Sequence, residues 1–260
     1  MENTLNFGVL KLISKIENTF YRAKTVEVVV NNFPLSFSAQ TKGLFTYFKN
    51  MGFEEKYTET LTNLITRQDV VLDCGGYVGF HTTCFASTGA KVYVAEPDPF
   101  FAKQIQSNTQ LNHLDNITII QEAVLDTKGQ VKFQVKERHG WSSRIKGMVG
   151  KNDTKRDYHN EINVSTTSLD LLIGDNKIEI PTVIKMDVEG AEFYALSGAK
   201  DLLSSDHKPR VIAIEIHPTM LDSIGHSQQD VERVIEDAGY TRVFCEDRRD
   251  EVLNIYLLKN

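Results

Sequence analysis

The stretch Val70-Val71-Leu72-Asp73-Cys74-Gly75-Gly76-Tyr77-Val78-Gly79 decides how the rest of the chain is read. A short apolar run ends in a glycine-rich turn, and the following Phe80–Ser87 segment suits a helix. Glycines at a strand-to-helix turn let the backbone approach a ligand closely, and the helix start offers free N–H groups. A dinucleotide site would read Gly-x-Gly-x-x-Gly, with a pyrophosphate on the helix start. Here the order is Asp-x-Gly-Gly-x-x-Gly, and a carboxylate ahead of the glycines would repel a pyrophosphate. It suits a ligand carrying an ammonium or sulfonium group.

Working outward, apolar runs at Val92–Ala95, Ile117–Gln121, Thr182–Met186 and Val211–Ile216 read as strands, with Val131–Val135 as an extra one. Helices are expected over Pro99–Leu111, Ala191–Leu203 and Val231–Ala238. Continuous Val/Ile runs alternating with helices indicate a mostly parallel sheet covered on both faces. Arg242–Cys245 and Asn254–Leu258 lie close in sequence and suggest an antiparallel hairpin at one edge. The fold class is therefore α/β, a doubly wound and mostly parallel seven-stranded sheet over 67–260. Residues 1–66 form an extension, with helical spacing in Leu5–Phe20, Leu44–Met51 and Tyr57–Ile65. Val26–Val30 and Leu35–Phe37 flank Asn31-Asn32 as a hairpin. This extension is expected to cap the site or to form an oligomer surface, for instance of a homodimer.

Composition narrows the partners. The 260 residues carry 29 Lys+Arg against 35 Asp+Glu, a net charge of −6, which gives no field to attract nucleic acid. Three cysteines without Cys-x-x-Cys spacing exclude a zinc framework. The apolar stretch near Phe7–Ile13 is broken by Lys11 and is too short to span a bilayer, so a cytoplasmic protein is expected.

Glu96, in Ala95-Glu96-Pro97 at the end of the second strand, is placed to accept both hydroxyls of a ribose. The segment Gln121-Glu122-Ala123-Val124 should pass an adenine ring, with Glu122 or the backbone near Ala123 on its amino edge.

At this point the chain resembles the FkbM family of S-adenosylmethionine-dependent methyltransferases. The blocks that carry the resemblance are Val71–Gly79, Ala95-Glu96-Pro97-Asp98, Thr167-Ser168-Leu169-Asp170 and Ile184-Lys185-Met186-Asp187-Val188-Glu189-Gly190-Ala191-Glu192. Ala195–Ala199 and Ile214-Glu215-Ile216-His217 extend it. The resemblance implies the Rossmann-like methyltransferase fold and S-adenosyl-L-methionine as cofactor, held by Asp73, Gly75, Gly76, Tyr77, Gly79, Glu96, Pro97, Glu122, Ala123 and Asp187. It also implies a small-molecule or glycan acceptor, methylated on a hydroxyl of a sugar, glycolipid or natural product. Where the family's turn usually reads Gly-Ala-Asn, this chain has Gly75-Gly76-Tyr77.

A sugar hydroxyl needs a base or a metal to remove its proton. Asp187 or His217 is the candidate base, with Glu215 orienting its neighbour, and Asp187 with Glu215 could also hold a divalent cation. Glu189 is a candidate acceptor contact, while Glu192 suits a helix's first turn. His81 is expected to pack or to face solvent. Trp141, Ser142 and Ser143 lie in a long glycine- and charge-rich stretch of the kind that binds acceptors, and Trp141 could stack on a sugar ring. Rival readings are a NAD-dependent oxidoreductase and a non-catalytic cofactor-binding protein. A nucleic-acid methyltransferase would usually carry an Asn/Asp-Pro-Pro-aromatic motif where this chain has Asp187-Val188-Glu189-Gly190.

Overall fold

The computed structural model describes residues 22–31, 33–50, 54–136, 143–148, 158–248 and 250–259. The helix expected over Leu5–Phe20, and the candidate residues Trp141 and Ser142, lie outside them.

Strands β1 (Lys24–Val30) and β2 (Phe33–Ala39) pair antiparallel, with Val30 opposite Phe33. Asn31 takes the left-handed φ of 48° that this tight turn requires and that asparagine tolerates. Helix α1 (Lys42–Lys49) starts at Thr41, whose hydroxyl accepts the Leu44 N–H, and α2 (Glu55–Leu64) follows. The extension does not stand apart. Phe37 stacks on Phe48 with centroids 4.8 Å apart and lies 5.4 Å from Phe80 of the next unit. Val26, Phe37, Leu44 and Leu61 share one hydrophobic core with Val71, Phe85 and Val92.

The main sheet is built from β3 (Val70–Cys74), α3 (Phe80–Ser87), β4 (Lys91–Ala95), α4 (Pro99–Leu111) and β5 (Ile117–Ile120). A small insertion follows: β6 (Ala123–Val124), β7 (Gly129–Lys136), β8 (Arg144–Ile145) and β9 (Tyr158–Thr167). The chain then returns through α5 (Leu169–Gly174), β10 (Val183–Met186), α6 (Glu192–Ser197), α7 (Lys200–Ser204) and β11 (Val211–Ile216). It closes with α8 (Pro218–Ser223), α9 (Gln228–Asp237), β12 (Tyr240–Asp247) and β13 (Val252–Leu258).

The seven-stranded sheet has the order β12-β13-β11-β10-β3-β4-β5. Strands β11, β10, β3, β4 and β5 run parallel, and β13 lies antiparallel between β11 and β12. Every residue of β10 and β11 is buried, as expected of central strands that are apolar apart from Lys185 and Glu215. From β3 the chain winds outward through β4 and β5, then recrosses to begin the other half at β10. The strand order thus reverses between β3 and β10, and in open α/β sheets ligands bind beyond the carboxyl ends at such a point.

The extra strand has a sheet of its own, and one expected helix is broken. Val131–Val135 belongs not to the main sheet but to a four-stranded one of order β6-β9-β7-β8. The single helix expected over Ala191–Leu203 is split into α6 and α7 at Gly198. A Cβ on Gly198 would sit 2.2 Å from the Leu125 carbonyl oxygen, so only glycine permits this approach. The Thr167–Asp170 block exploits the break: Ser168 caps α5, and the Asp170 carboxylate accepts the Asp201 and Leu202 N–H groups that start α7.

Candidate active site

The crevice at the strand reversal begins at Gly75. Its φ of +83° is left-handed, and a Cβ there would lie 1.7 Å from the carbonyl oxygen of Asp187. Glycine is what lets the end of β3 pass against the end of β10. The Gly75 N–H donates to the Ala95 carbonyl, and the Asp187 N–H to the Cys74 carbonyl, both at 2.9 Å, so three strand ends are fastened at one turn. Tyr77 has φ 49°, a region that favours asparagine, which gives a backbone reason for the residue usual in the resembling family. Its ring packs against Tyr47 and Phe101, and its hydroxyl is buried without a hydrogen-bond partner among the described residues.

Glu96 stands beside this turn with only 5% of its surface exposed. Its two oxygens accept the N–H groups of Tyr77 and Asp98, each at 2.8 Å. Burial, against those two bonds and with help from the charges of Asp98 and Asp73, pushes its pKa up to about 8. Asp98 caps α4 and accepts the Ser143 hydroxyl at 2.8 Å, which draws Ser143 to the cavity wall.

Asp73 is fully buried and accepts the Thr82 hydroxyl at 2.6 Å. The cation it meets is the protein's own: Lys185 Nζ lies 3.5 Å from Asp73 Oδ1 and 3.4 Å from Asp187 Oδ2. Burial alone would discharge Lys185, but Asp187 and Asp73 outweigh it and hold the ammonium form. The sequence signal for Lys185 was a lone cation inside an otherwise apolar strand, Val183–Met186.

Asp187, Glu189 and Glu215 face the crevice, and Glu189 does so from a left-handed φ of 52°. His217 stands behind them, 6% exposed, and is not part of the wall. Its Nδ1 lies 2.9 Å from Glu192 Oε1, while Nε2 faces Glu215 Oε1 at 3.6 Å and Glu189 Oε2 at 3.9 Å. Burial disfavours a charged ring, yet Glu192, through charge and hydrogen bond, and then Glu189 and Glu215 raise its pKa well above the usual histidine value. Glu192 is fully buried for this task and also accepts the Gly190 N–H. A ring held as imidazolium is a poor general base, so its surroundings argue against that role for His217. Burial and the Asp187 charge hold Glu215 well above the usual carboxylate range.

Residues expected at the site divide as follows. Gly75, Gly76, Tyr77, Glu96, Pro97, Ala123, Ser143, Asp187, Glu189 and Glu215 converge on one cavity of about 760 Å³. Gly79 caps α3 behind the turn. The Glu122 carboxylate points elsewhere, to Lys177 Nζ at 2.7 Å. The extension adds Lys42, Tyr47 and Glu54 to the wall, and α3 adds His81, which is buried rather than solvent-facing. No sequence pattern marked Glu54, because its neighbours in the fold come from distant segments.

Among the described residues, ligand atoms of Asp187, Glu189 and His217, and of Glu215, His217 and Glu251, come within 4.8 Å of one another. Asp187 and Glu215, expected to share a divalent cation, fall in different groups. The residue common to both groups is His217.

The Methyltransferase FkbM domain family model matches residues 73–242, from the buried Asp73 to β12. This chain belongs to the FkbM methyltransferase family. Its membership sets the dinucleotide oxidoreductase reading aside. The chain is 24% identical over 223 residues to the hexuronic acid methyltransferase AglP of Haloferax volcanii, covering 85% of this chain and 84% of that one. Among solved structures, Trm5b of Pyrococcus abyssi superposes with a TM-score of 0.51 at 13% identity, over 91% of this chain and 56% of that one. That likeness is one of fold alone. Among the described residues no helix is long and apolar enough to cross a membrane.

Proposed function

We propose that the protein transfers a methyl group from S-adenosylmethionine to a hydroxyl of a sugar. The observation that carries the reading is the single cavity whose wall holds the Gly75–Tyr77 turn and Glu96 together with Asp187 and Glu215. Its volume of about 760 Å³ lies within the usual range for small-molecule sites. The residues present fit the cofactor. The Tyr77 hydroxyl is a buried polar atom awaiting a partner, and the lining carries Glu54, Glu96, Asp187, Glu189, Glu215 and Glu251 against Lys42 and Lys185. An acid-rich cavity suits a ligand bearing both an ammonium and a sulfonium group. Glu96 would hold the ribose hydroxyls, Gly75 and Gly76 would admit the ligand against the backbone, and Ala123 and Val124 would flank the adenine. When bound, S-adenosylmethionine supplies an electrophilic methyl group.

The remaining work falls to this chain. Asp187 and Glu215 orient the acceptor's hydroxyls, and Phe133 and Ile145 add apolar surface to the same wall. His217 pairs with Glu192 through Nδ1 and faces Glu189 and Glu215 with Nε2, which from behind the wall holds the three acidic side chains together. The sugar class is drawn from the hexuronic acid substrate of AglP together with the FkbM resemblance.

Calorimetric titration with S-adenosylhomocysteine, NAD and the Glu96→Ala variant tests the cofactor. Micromolar binding of the first alone, lost in the variant, supports the reading, and a preference for NAD refutes it. Release of S-adenosylhomocysteine in the presence of p-nitrophenyl glucoside or glucuronide then tests the acceptor.

A further inference from the structure

A sugar hydroxyl does not attack a methyl group at a useful rate while it keeps its proton, yet the residues at the sheet's carboxyl edge are poorly suited to take it. His217 stands behind the wall with Nδ1 2.9 Å from Glu192 Oε1, Glu215 Oε1 faces the His217 ring at 3.6 Å, and Asp187 faces the Lys185 ammonium at 3.4 Å. Resting on the methyl-transfer reading above, we infer that Glu54, contributed by the N-terminal extension, is the general base that accepts the acceptor's proton.

Glu54 sits at the N-terminal boundary of α2, is 8% exposed, and opens onto the same cavity as Asp187 and Glu215. It lies outside the stretch matched by the family model, which begins at residue 73. Its Oε2 is 3.5 Å from His81 Nε2, and that nitrogen also pairs with the Thr58 hydroxyl at 3.1 Å. Burial lowers the His81 pKa well below the usual histidine value, so the ring beside Glu54 does not neutralise its carboxylate. Arg248, in the β12–β13 connection, approaches Glu54 Oε1 at 3.4 Å.

The charged and titratable groups facing Glu54 come from every element around it. Lys185 lies on β10 and Asp187 directly after it, Glu215 on β11, and Arg248 and Glu251 between β12 and β13. Tyr47 of α1 and Tyr57 of α2 complete the set, both held as neutral phenols by burial. Burial first, then the Asp187 charge, raise Glu54 to about 7 against the pull of Arg248 and Lys185. A base of that strength is matched to neutral pH. In the step, the acceptor's O–H bond breaks and its proton passes to Glu54. The oxygen's electron pair forms the new O–CH3 bond, while the S–CH3 bond breaks with its electrons remaining on sulfur. A neutral sulfide and a protonated Glu54 result, and the proton then leaves to solvent.

The test compares wild type, Glu54→Gln and Glu54→Asp in three measurements: S-adenosylhomocysteine binding, thermal midpoint, and turnover of p-nitrophenyl glucoside and glucuronide between about pH 5.5 and 8.5. We expect Glu54→Gln to bind S-adenosylhomocysteine within about threefold of wild type while kcat falls about 100-fold or more. Wild-type kcat rises with pH through a midpoint near 7, the limb is missing from the residual rate of Glu54→Gln, and Glu54→Asp recovers part of both. A Glu54→Gln kcat within about threefold of wild type overturns the assignment, as does an unchanged pH limb. Loss of cofactor binding or of the folded state in Glu54→Gln with full activity in Glu54→Asp at an unshifted limb also overturns it, in favour of a structural carboxylate. Wild type that binds S-adenosylhomocysteine but turns over neither glycoside refutes the sugar reading itself, and the base assignment with it.

Discussion

Lys185 and Asp73 stand directly opposite one another on the adjacent parallel strands β10 and β3, with Nζ 3.5 Å from Oδ1 and neither side chain more than 3% exposed. The pair ties the glycine turn to the strand that ends in Asp187, on both sides of the strand reversal. Removing one member leaves the other charged and buried, which costs far more than an exposed pair returns.

Lys185→Met should therefore destabilise the protein by about 3–5 kcal/mol, since it strands Asp73. Adding Asp73→Asn, which keeps a side chain able to meet Thr82, should recover part of that loss. Urea unfolding of the two single variants and the double variant measures the coupling. A loss below about 1 kcal/mol in Lys185→Met would show that Asp73 does not depend on this ammonium.

Glu96 governs how cofactor affinity depends on pH. Its carboxyl holds a proton up to about pH 8 in the free protein, whereas ribose hydroxyls donate to the ionised form. Binding therefore releases a proton, and affinity rises with pH until it levels above that value. We expect S-adenosylhomocysteine to bind roughly tenfold more tightly at pH 8 than at pH 6.5. Glu96→Gln should bind weakly and with a flat profile. Calorimetry in buffers of different ionisation enthalpy reports the released proton directly, and its absence would count against Glu96 as the ribose ligand.

The Glu192–His217 contact predicts a spectroscopic result. Glu192→Gln removes the carboxylate nearest the His217 ring, so the His217 titration should move down in pH, visible in the ring carbon chemical shifts. A midpoint that stays in place would mean that Glu189 and Glu215 suffice.

Asp69 supplies a stability term of the opposite sign to Glu96. Burial would raise its pKa, but hydrogen bonds from Arg210, Thr182 and Thr66 bring it down to about 2. The stabilisation is fully present above the unfolded carboxylate's pKa near 4 and disappears as pH falls through about 2. Asp69→Asn should cost about 2 kcal/mol at neutral pH. The gap from wild type should narrow when unfolding is repeated near pH 3. A gap independent of pH would assign the loss to packing rather than to charge.

Much of this arrangement is legible in the chain itself. Phe80–Ser87, Pro99–Leu111 and Val211–Ile216 have the boundaries expected of them, because each is a locally apolar or helix-compatible run bounded by a turn, glycine or proline. The break at Gly198 was not legible, since it depends on the Leu125 carbonyl passing within reach, a contact between segments distant in sequence. Glu122 and Ala123 show the same limit: adjacent residues in a loop were equally eligible, and the backbone turned Ala123 inward and Glu122 toward Lys177.

The sequence by itself determined the alternation of strands and helices, the glycine turn after Asp73, the carboxylate of Glu96 beyond the second strand, and membership of the FkbM family. These follow from local periodicity, from backbone freedom at glycine, and from motifs short enough to be read in order. Only the tertiary structure decided that Asp73 faces Lys185 rather than a ligand, that His217 is wrapped by Glu189, Glu192 and Glu215, and that Glu54 of the extension reaches the cavity. Charge states and burial are set by groups that converge from separate strands and helices, and sequence distance carries no record of that convergence.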